Sequence, residues 1–234
     1  MKKILLSTLL LAAVSLSGCL SITDEVFLDK DGSGRYATTI DMSKLKEMMD
    51  MLKTMMPDTS QGKNSDQLKD LDSLQNMWKD LETIPGISDV KRNMADKYVM
   101  NVSFRFANVS ALNEAMSRRS KKEDQAPTKS APFYSFTPGS FSCNDTTLAG
   151  IGGSLKGLGN AKDPSDSLAM AMNMRKGMMG DMTYTTIYHL PGKVSSLSNK
   201  QAKISEDGKT VTLKLELLES EVPQTLQNEI RYQK

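Results

Sequence analysis

Hydrophobic and polar positions alternate with period two in several stretches of the chain. Glu25–Leu28 and Arg35–Asp41 carry this pattern, with Tyr36, Thr38 and Ile40 on one side. Between them, Asp29-Lys30-Asp31-Gly32-Ser33-Gly34 is turn chemistry. Strand, Asp/Gly turn and strand predict a β-hairpin. Ile87–Asn93 and Tyr98–Phe106 predict a second hairpin, with Met100, Val102, Phe104 and Phe106 facing a core. Phe133–Ser142 reads as strand in two pieces around Pro138-Gly139. Met182–Leu190, Val194–Ser198, Ala202–Ser205 and Thr210–Leu218 follow, separated by Pro191-Gly192 and Glu206-Asp207-Gly208. Val211, Leu213, Leu215 and Leu217 form one face of the last, the mark of a half-buried antiparallel strand.

Other stretches repeat at three and four residues. After a cap at Asp41 or Ser43, Leu45, Met48, Met49, Leu52, Met55 and Met56 give one apolar face, ended by Pro57. Leu68, Leu71, Leu74, Trp78 and Leu81 line a second helix over Ser65–Glu82. A short helix is expected over Asn108–Met116 and a longer one over Pro164–Met179. Strands and helices come in blocks rather than in βαβ alternation. The expected fold class is therefore α+β: an antiparallel sheet built from hairpins, with helices packed on one face. One domain over residues 25–220 is expected, with mobile loops near 117–132, where Arg118, Arg119, Lys121 and Lys122 interrupt the pattern, and near 149–163, which is rich in glycine. Residues 221–234 read as a weakly helical or frayed tail.

The N-terminus changes the picture. Lys2 and Lys3 precede an apolar run, Ile4–Leu16, that is too short for a span of about 20 residues. A positive start and a short apolar core mark a secretory signal. The run closes on Leu16-Ser17-Gly18-Cys19, which resembles the lipobox of bacterial lipoproteins. The resemblance implies that residues 1–18 are a removed signal peptide and that Cys19 carries a diacylglyceryl thioether and an acylated (palmitate-type) amine. Residues 19–24 would then be a lipidated tether. Several acyl chains, at about 0.8 kcal/mol per buried methylene, hold such an anchor stably in a membrane. Leu20 after the cysteine implies, by similarity to enteric sorting, the outer membrane of the cell envelope.

Removing the 18-residue leader leaves about 216 of 234 residues, enough for a substantial core. It also takes two lysines, so 30 basic residues become 28, against 28 acidic ones. A formally neutral chain argues against nucleic acid as a partner. Cys143 is then the one cysteine left, so the fold must be held without an internal disulfide. Its thiol is expected to be buried or merely tolerated rather than a route to dimers.

Candidate chemistry is sparse. Asp29, Asp31, Ser33 and Gly34 match the first half of a calcium-binding loop, but position twelve is Ile40 where a bidentate glutamate belongs, so a hairpin turn is the expected reading. The 17 methionines are abundant. Met170-Ala171-Met172-Asn173-Met174 has the Met-x-Met spacing that suits soft copper sites. The same richness over Met42–Met56 has helix-core spacing, and methionine suits adaptable apolar surfaces. No metal or other cofactor is therefore expected. Met48, Met49 and Leu52 on one helix, and Met170, Met174 and Met178 on another, are the candidate lining of a pocket for an apolar ligand. His189 has no nucleophile pattern beside it and is expected to be structural or exposed; no enzyme activity is expected.

A second resemblance rests on Phe27-Leu28-Asp29-Lys30-Asp31-Gly32-Ser33-Gly34, on His189-Leu190-Pro191-Gly192-Lys193-Val194, on Asn199, and on Asp207-Gly208-Lys209-Thr210-Val211. Together these resemble LppM-type lipoprotein domains of poorly defined function, over about a quarter of the chain. The resemblance implies a membrane-attached α+β domain, with lipid or glycolipid as a ligand class. The chain departs from that pattern in its Met-rich insertions and in the absence of a C-terminal membrane helix. The expected function is a non-catalytic binding or scaffold domain for an apolar ligand or lipid, partnered with the membrane through its anchor. The alternative is an accessory lipoprotein subunit docked on an envelope protein.

Overall fold

The computed structural model describes residues 20–44, 47, 78–96, 98–120, 132–145, 182–216 and 225–234. Eleven strands are present among them: β1 (Leu20–Leu28), β2 (Gly34–Asp41), β3 (Ile87–Asp96), β4 (Val99–Phe106), β5 (Tyr134–Thr137), β6 (Ser140–Cys143), β7 (Met182–His189), β8 (Val194–Leu197), β9 (Lys203–Ile204), β10 (Thr210–Glu216) and β11 (Asn228–Tyr232). One α-helix, α1 (Val109–Ser120), and a 3-10 turn at Leu81–Thr83 accompany them. The larger sheet has the order β3-β4-β2-β1-β7-β10-β9, and the smaller has the order β5-β6-β11-β8.

This corrects the expected fold class. The described residues are 54% strand and form two sheets, not one sheet with a layer of helices. The physical reason lies in the inner face of the large sheet. That face carries Val26, Tyr36, Phe104, Tyr188 and Leu213. It needs cover, and part of the cover is the small sheet, whose Phe141 meets Tyr188 edge to face at 5.5 Å between ring centroids. The expected helices over 41–56, 65–82 and 164–179 lie almost entirely outside the described residues. Trp78 and Leu81, from the end of the second, are buried in the core as their stripe required.

The hairpins follow their patterns. β1 and β2 pair antiparallel from Ser21↔Asp41 to Leu28↔Gly34, closed by the Asp29–Ser33 turn. Gly32 takes φ +83°, and Ser33 donates its backbone N–H to Asp31 Oδ1 at 3.0 Å. Gly34 has to be glycine, because a Cβ there would lie 2.0 Å from the Phe27 carbonyl oxygen. β1 also pairs parallel with β7, from Leu20↔Met182 to Phe27↔His189. That pairing joins the N-terminal hairpins to the C-terminal meander through the middle of the sheet.

Three segment expectations are corrected. β1 begins at Leu20, so the expected tether over 19–24 is sheet from its second residue onward. Ser117–Ser120, placed in a mobile loop, is the last turn of α1. The expected frayed tail contains β11, which sits between β6 and β8 with Ile230 wholly buried. The strand has a weak signature because only alternate residues of β11, Asn228, Ile230 and Tyr232, are buried, and two of those are polar or amphipathic. The motif His189–Val194 makes room for it. A Cβ on Gly192 would lie 1.8 Å from the Gln233 carbonyl oxygen, and Gln233 donates its N–H to the Lys193 carbonyl at 2.8 Å.

The position of β11 predicts that Ile230→Ala, four residues before Lys234, will cost about 2–5 kcal/mol in urea unfolding. A change within 0.5 kcal/mol would mean that the strand does not contribute to the core.

Candidate functional site

The small sheet presents a cleft on its outward face. β5 and β6 turn at Pro138-Gly139, with Gly139 at φ +92°, and pair Ser135↔Ser142 and Thr137↔Ser140. β11 continues the row, placing Glu229 opposite Ser142. Because side chains alternate, Tyr134, Phe141 and Ile230 enter the core while Ser135, Ser142 and Glu229 face outward. The cleft holds about 380 Å³, and its walls are completed by Phe136, Asn144, Ser198 and Gln227. This is the size of a small-molecule site. Its outward side chains are hydroxyls, amides and one carboxylate; Phe136, opposite Phe141, turns its ring to the inward face, against Gly32.

The rim is held by hydrogen bonds. Asn144 donates through Nδ2 to Ser135 Oγ and to the Pro132 carbonyl, each at 3.2 Å. Ser198 Oγ accepts from the Glu229 N–H at 2.7 Å. Buried Asn199 donates through Nδ2 to the carbonyls of Thr225 and Gln227 at 3.1 Å, and its own N–H goes to Asn228 Oδ1 at 3.1 Å. Asn199 thus sets the course of the chain into β11. Cys143, at the end of β6, is buried, and burial pushes its thiol up to about 11. It is therefore a neutral thiol at physiological pH rather than a nucleophile.

A second polar group lies inside the core. Asp24 on β1 is almost completely buried, and Arg119 from α1 reaches it, Nη1 to Oδ2 at 2.9 Å. Thr38 donates to the other oxygen at 2.6 Å, and the Tyr184 hydroxyl donates to Oδ2. Arg119 Nη1 also donates to the Tyr36 hydroxyl at 3.1 Å, and its guanidinium lies 5.4 Å from the Trp78 ring centroid. Burial pushes the Asp24 carboxyl up, but Arg119, Thr38 and Tyr184 together outweigh it and hold it below the usual 3.8. The same burial raises the Tyr36 and Tyr184 hydroxyls well above 10, so both stay neutral. The helix that delivers Arg119 is capped by Asn108, whose Oδ1 accepts from the Ala111 N–H at 3.0 Å. It is fastened to β5 by Asn113, which donates to the Tyr134 carbonyl and accepts from its N–H, both at 2.8 Å.

Sequence reasoning missed both groups. In the sequence Arg119 stands in a charged stretch, and its partner is 95 residues away. The serines of the cleft carry no motif; the alternation in Phe133–Ser142 was the available signal, and it showed strands rather than a site. The residues expected to matter most, Cys19, Met48, Met49, Leu52, Met170, Met174 and Met178, lie outside the described residues. His189 stacks on Phe27 with centroids 4.1 Å apart and planes 8° from parallel, and Arg35 covers the other side of that ring at 4.0 Å. Its Nε2 is 3.6 Å from Glu25, and its Nδ1 is 3.4 Å from the Thr210 hydroxyl. The Asp29–Gly34 segment is a hairpin turn. Among the described residues no helix is long and apolar enough to cross a membrane.

No family model and no curated protein matches the chain. Among solved structures, it is similar to the folded domain of LppM from Mycobacterium tuberculosis, determined by NMR, with a TM-score of 0.39 and 12% identity over 93% of this chain and 92% of that one.

The charge pair sets an acid limit. Because the folded pKa of Asp24 is below its ordinary 3.8, the pair's contribution is complete above that value and is lost as pH falls through the lower folded value. Asp24→Asn is expected to cost about 3–5 kcal/mol near neutral pH. Urea midpoints of the two proteins should converge below pH 3.8, and parallel curves down to pH 2 would refute the assignment. Asp24→Leu combined with Arg119→Met should cost less than Asp24→Asn alone, since neither charge is then left unpaired.

Proposed function

We propose that the chain is a cell-envelope lipoprotein, anchored through Cys19, whose β domain is a non-catalytic binding module that takes a polar, hydroxyl-rich ligand in the cleft of the small sheet. The observation that carries the binding reading is the cleft itself: about 380 Å³ between Ser135, Ser142, Ser198 and Glu229, with hydroxyls that both donate and accept. An acyl chain would leave these hydroxyls desolvated without partners, which costs about 1–3 kcal/mol for each. The ligand class favoured by the cleft is therefore a sugar-like or polar headgroup rather than the apolar chain expected from the methionines. The lipobox Leu16–Cys19 supports the anchor, and the start of β1 at Leu20 supports a folded domain immediately beyond it.

The reading is tested by native mass spectrometry of the domain from Leu20 onward, exported without its lipid, beside the same domain carrying Ser142→Trp. Discrete adducts that disappear on filling the cleft, at an unchanged melting temperature, are expected. An adduct-free mass under gentle conditions would count against the cleft and turn the search to crosslinked envelope partners. Independently, Cys19→Ala should abolish incorporation of an alkyne-tagged fatty acid; retained labelling would remove Cys19 as the anchor.

A further inference from the structure

The start of β1 has a consequence for orientation, which rests on the lipoprotein reading of Cys19. Leu20 is already paired with Met182, and Ser21 with both Thr183 and Asp41, so the strand is held on one side from its first residue and on both from its second. Consecutive Cα atoms are about 3.8 Å apart, so a lipid on Cys19 is attached one residue from a rigid sheet. Flexible linkers of many residues allow a domain to tumble over its membrane; a linker of this length does not. We infer that the large sheet stands on end at the lipid surface, with the rim formed by Leu20, Asp41, Val99, Met182 and Glu216 against the headgroups and the Asp29–Gly34 turn pointing away.

The pairing shows that these residues share one rim. Asp41 is opposite Val99, Leu20 is opposite Met182, and Glu216 is opposite Thr183. The other ends of the same strands, Leu28, Gly34, Phe106 and His189, lie eight steps along β1 or level with it, about 26 Å away at the usual rise. The rim mixes half-buried Leu20 and Met182 with the carboxylates of Asp41 and Glu216 and the ammonium of nearby Lys44. Charged groups are costly in hydrocarbon, so the rim rests at headgroup depth and does not insert. Phe136, on the inward face of β5 behind the cleft, is packed under the far turn, where a Cβ on Gly32 would come within 2.7 Å of its ring. The Phe136 end of the cleft is therefore held away from the anchoring bilayer and receives its ligand from the aqueous side.

The experiment uses the full-length protein, processed in cells and reconstituted into phosphatidylethanolamine and phosphatidylglycerol vesicles that contain a headgroup-nitroxide lipid. Glu216→Cys and Lys30→Cys variants each carry a thiol-reactive fluorophore, and an intact mass first reads whether Cys19 is lipidated. The expected result is loss of most of the fluorescence at position 216 and none at position 30. A flexible spacer of about twelve Gly and Ser residues between Cys19 and Leu20 should abolish that contrast. Equal quenching at the two positions on a lipidated chain, or a contrast that survives the spacer, would overturn the inference alone. An unlipidated Cys19 would remove the lipoprotein reading and the inference with it.

Discussion

A buried carboxylate that cannot do without its cation organises the centre of this protein. Asp24 sits in the middle of β1, which is itself the middle of the large sheet, and its charge can exist there only because Arg119 reaches it with the help of Thr38 and Tyr184. Several kcal/mol of desolvation have to be offset at that point. The requirement fixes more than two residues. Arg119 arrives only if α1 runs its full length from the Asn108 cap to Ser120. α1 in turn is held by Asn113 against the backbone of β5, so the small sheet is tied to the same point. A pair of charges thereby specifies how helix and sheets are placed relative to one another, which apolar contacts alone specify less sharply. Tyr36 and Trp78 pack beside it with ring centroids 5.8 Å apart.

Around that point, the fold is closed by contacts between distant parts of the chain. The parallel pairing of β1 with β7 spans the sequence from Leu20 to His189. The insertion of β11 between β6 and β8 brings the last residues of the chain into a second sheet. Cys143, the cysteine among the described residues, is buried and neutral and crosslinks none of them. Non-local strand pairing, the shared core and the polar clamps of Asn113 and Asn199 supply the cohesion that disulfides provide in many exported domains.

The cleft owes its chemistry to the same alternation that builds the core. β5, β6 and β11 send aromatic and aliphatic residues inward, and the intervening serines, with Glu229, face out. An apolar site was expected from the methionines; the described surface is hydroxylated instead. The two expectations concern different residues, since Met48, Met49, Leu52, Met170, Met174 and Met178 are outside the described part of the chain. Phe27, Arg35 and His189 form a further ladder across β2, β1 and β7, stacked on the outer face at the end of the sheet away from Leu20.

By itself the sequence determined local structure. The period-two stretches became β1 to β10 with their turns at Asp29–Gly34, Pro138-Gly139, Pro191-Gly192 and Asp207-Gly208, because alternation and turn chemistry are properties of neighbouring residues. It also carried, as a contiguous motif, the Leu16–Cys19 resemblance to a lipobox. Tertiary structure decided everything that depends on residues far apart. It made Arg119 a core residue rather than a loop charge, because its partner lies on another element. It turned a polar tail into β11, because the neighbouring strands β6 and β8 offered it hydrogen bonds on both edges. It set two sheets face to face where one sheet under helices was expected, and it gathered unremarkable serines from three segments into one cleft. None of these follows from periodicity, since register and burial are fixed by the pairing partner and not by the strand alone.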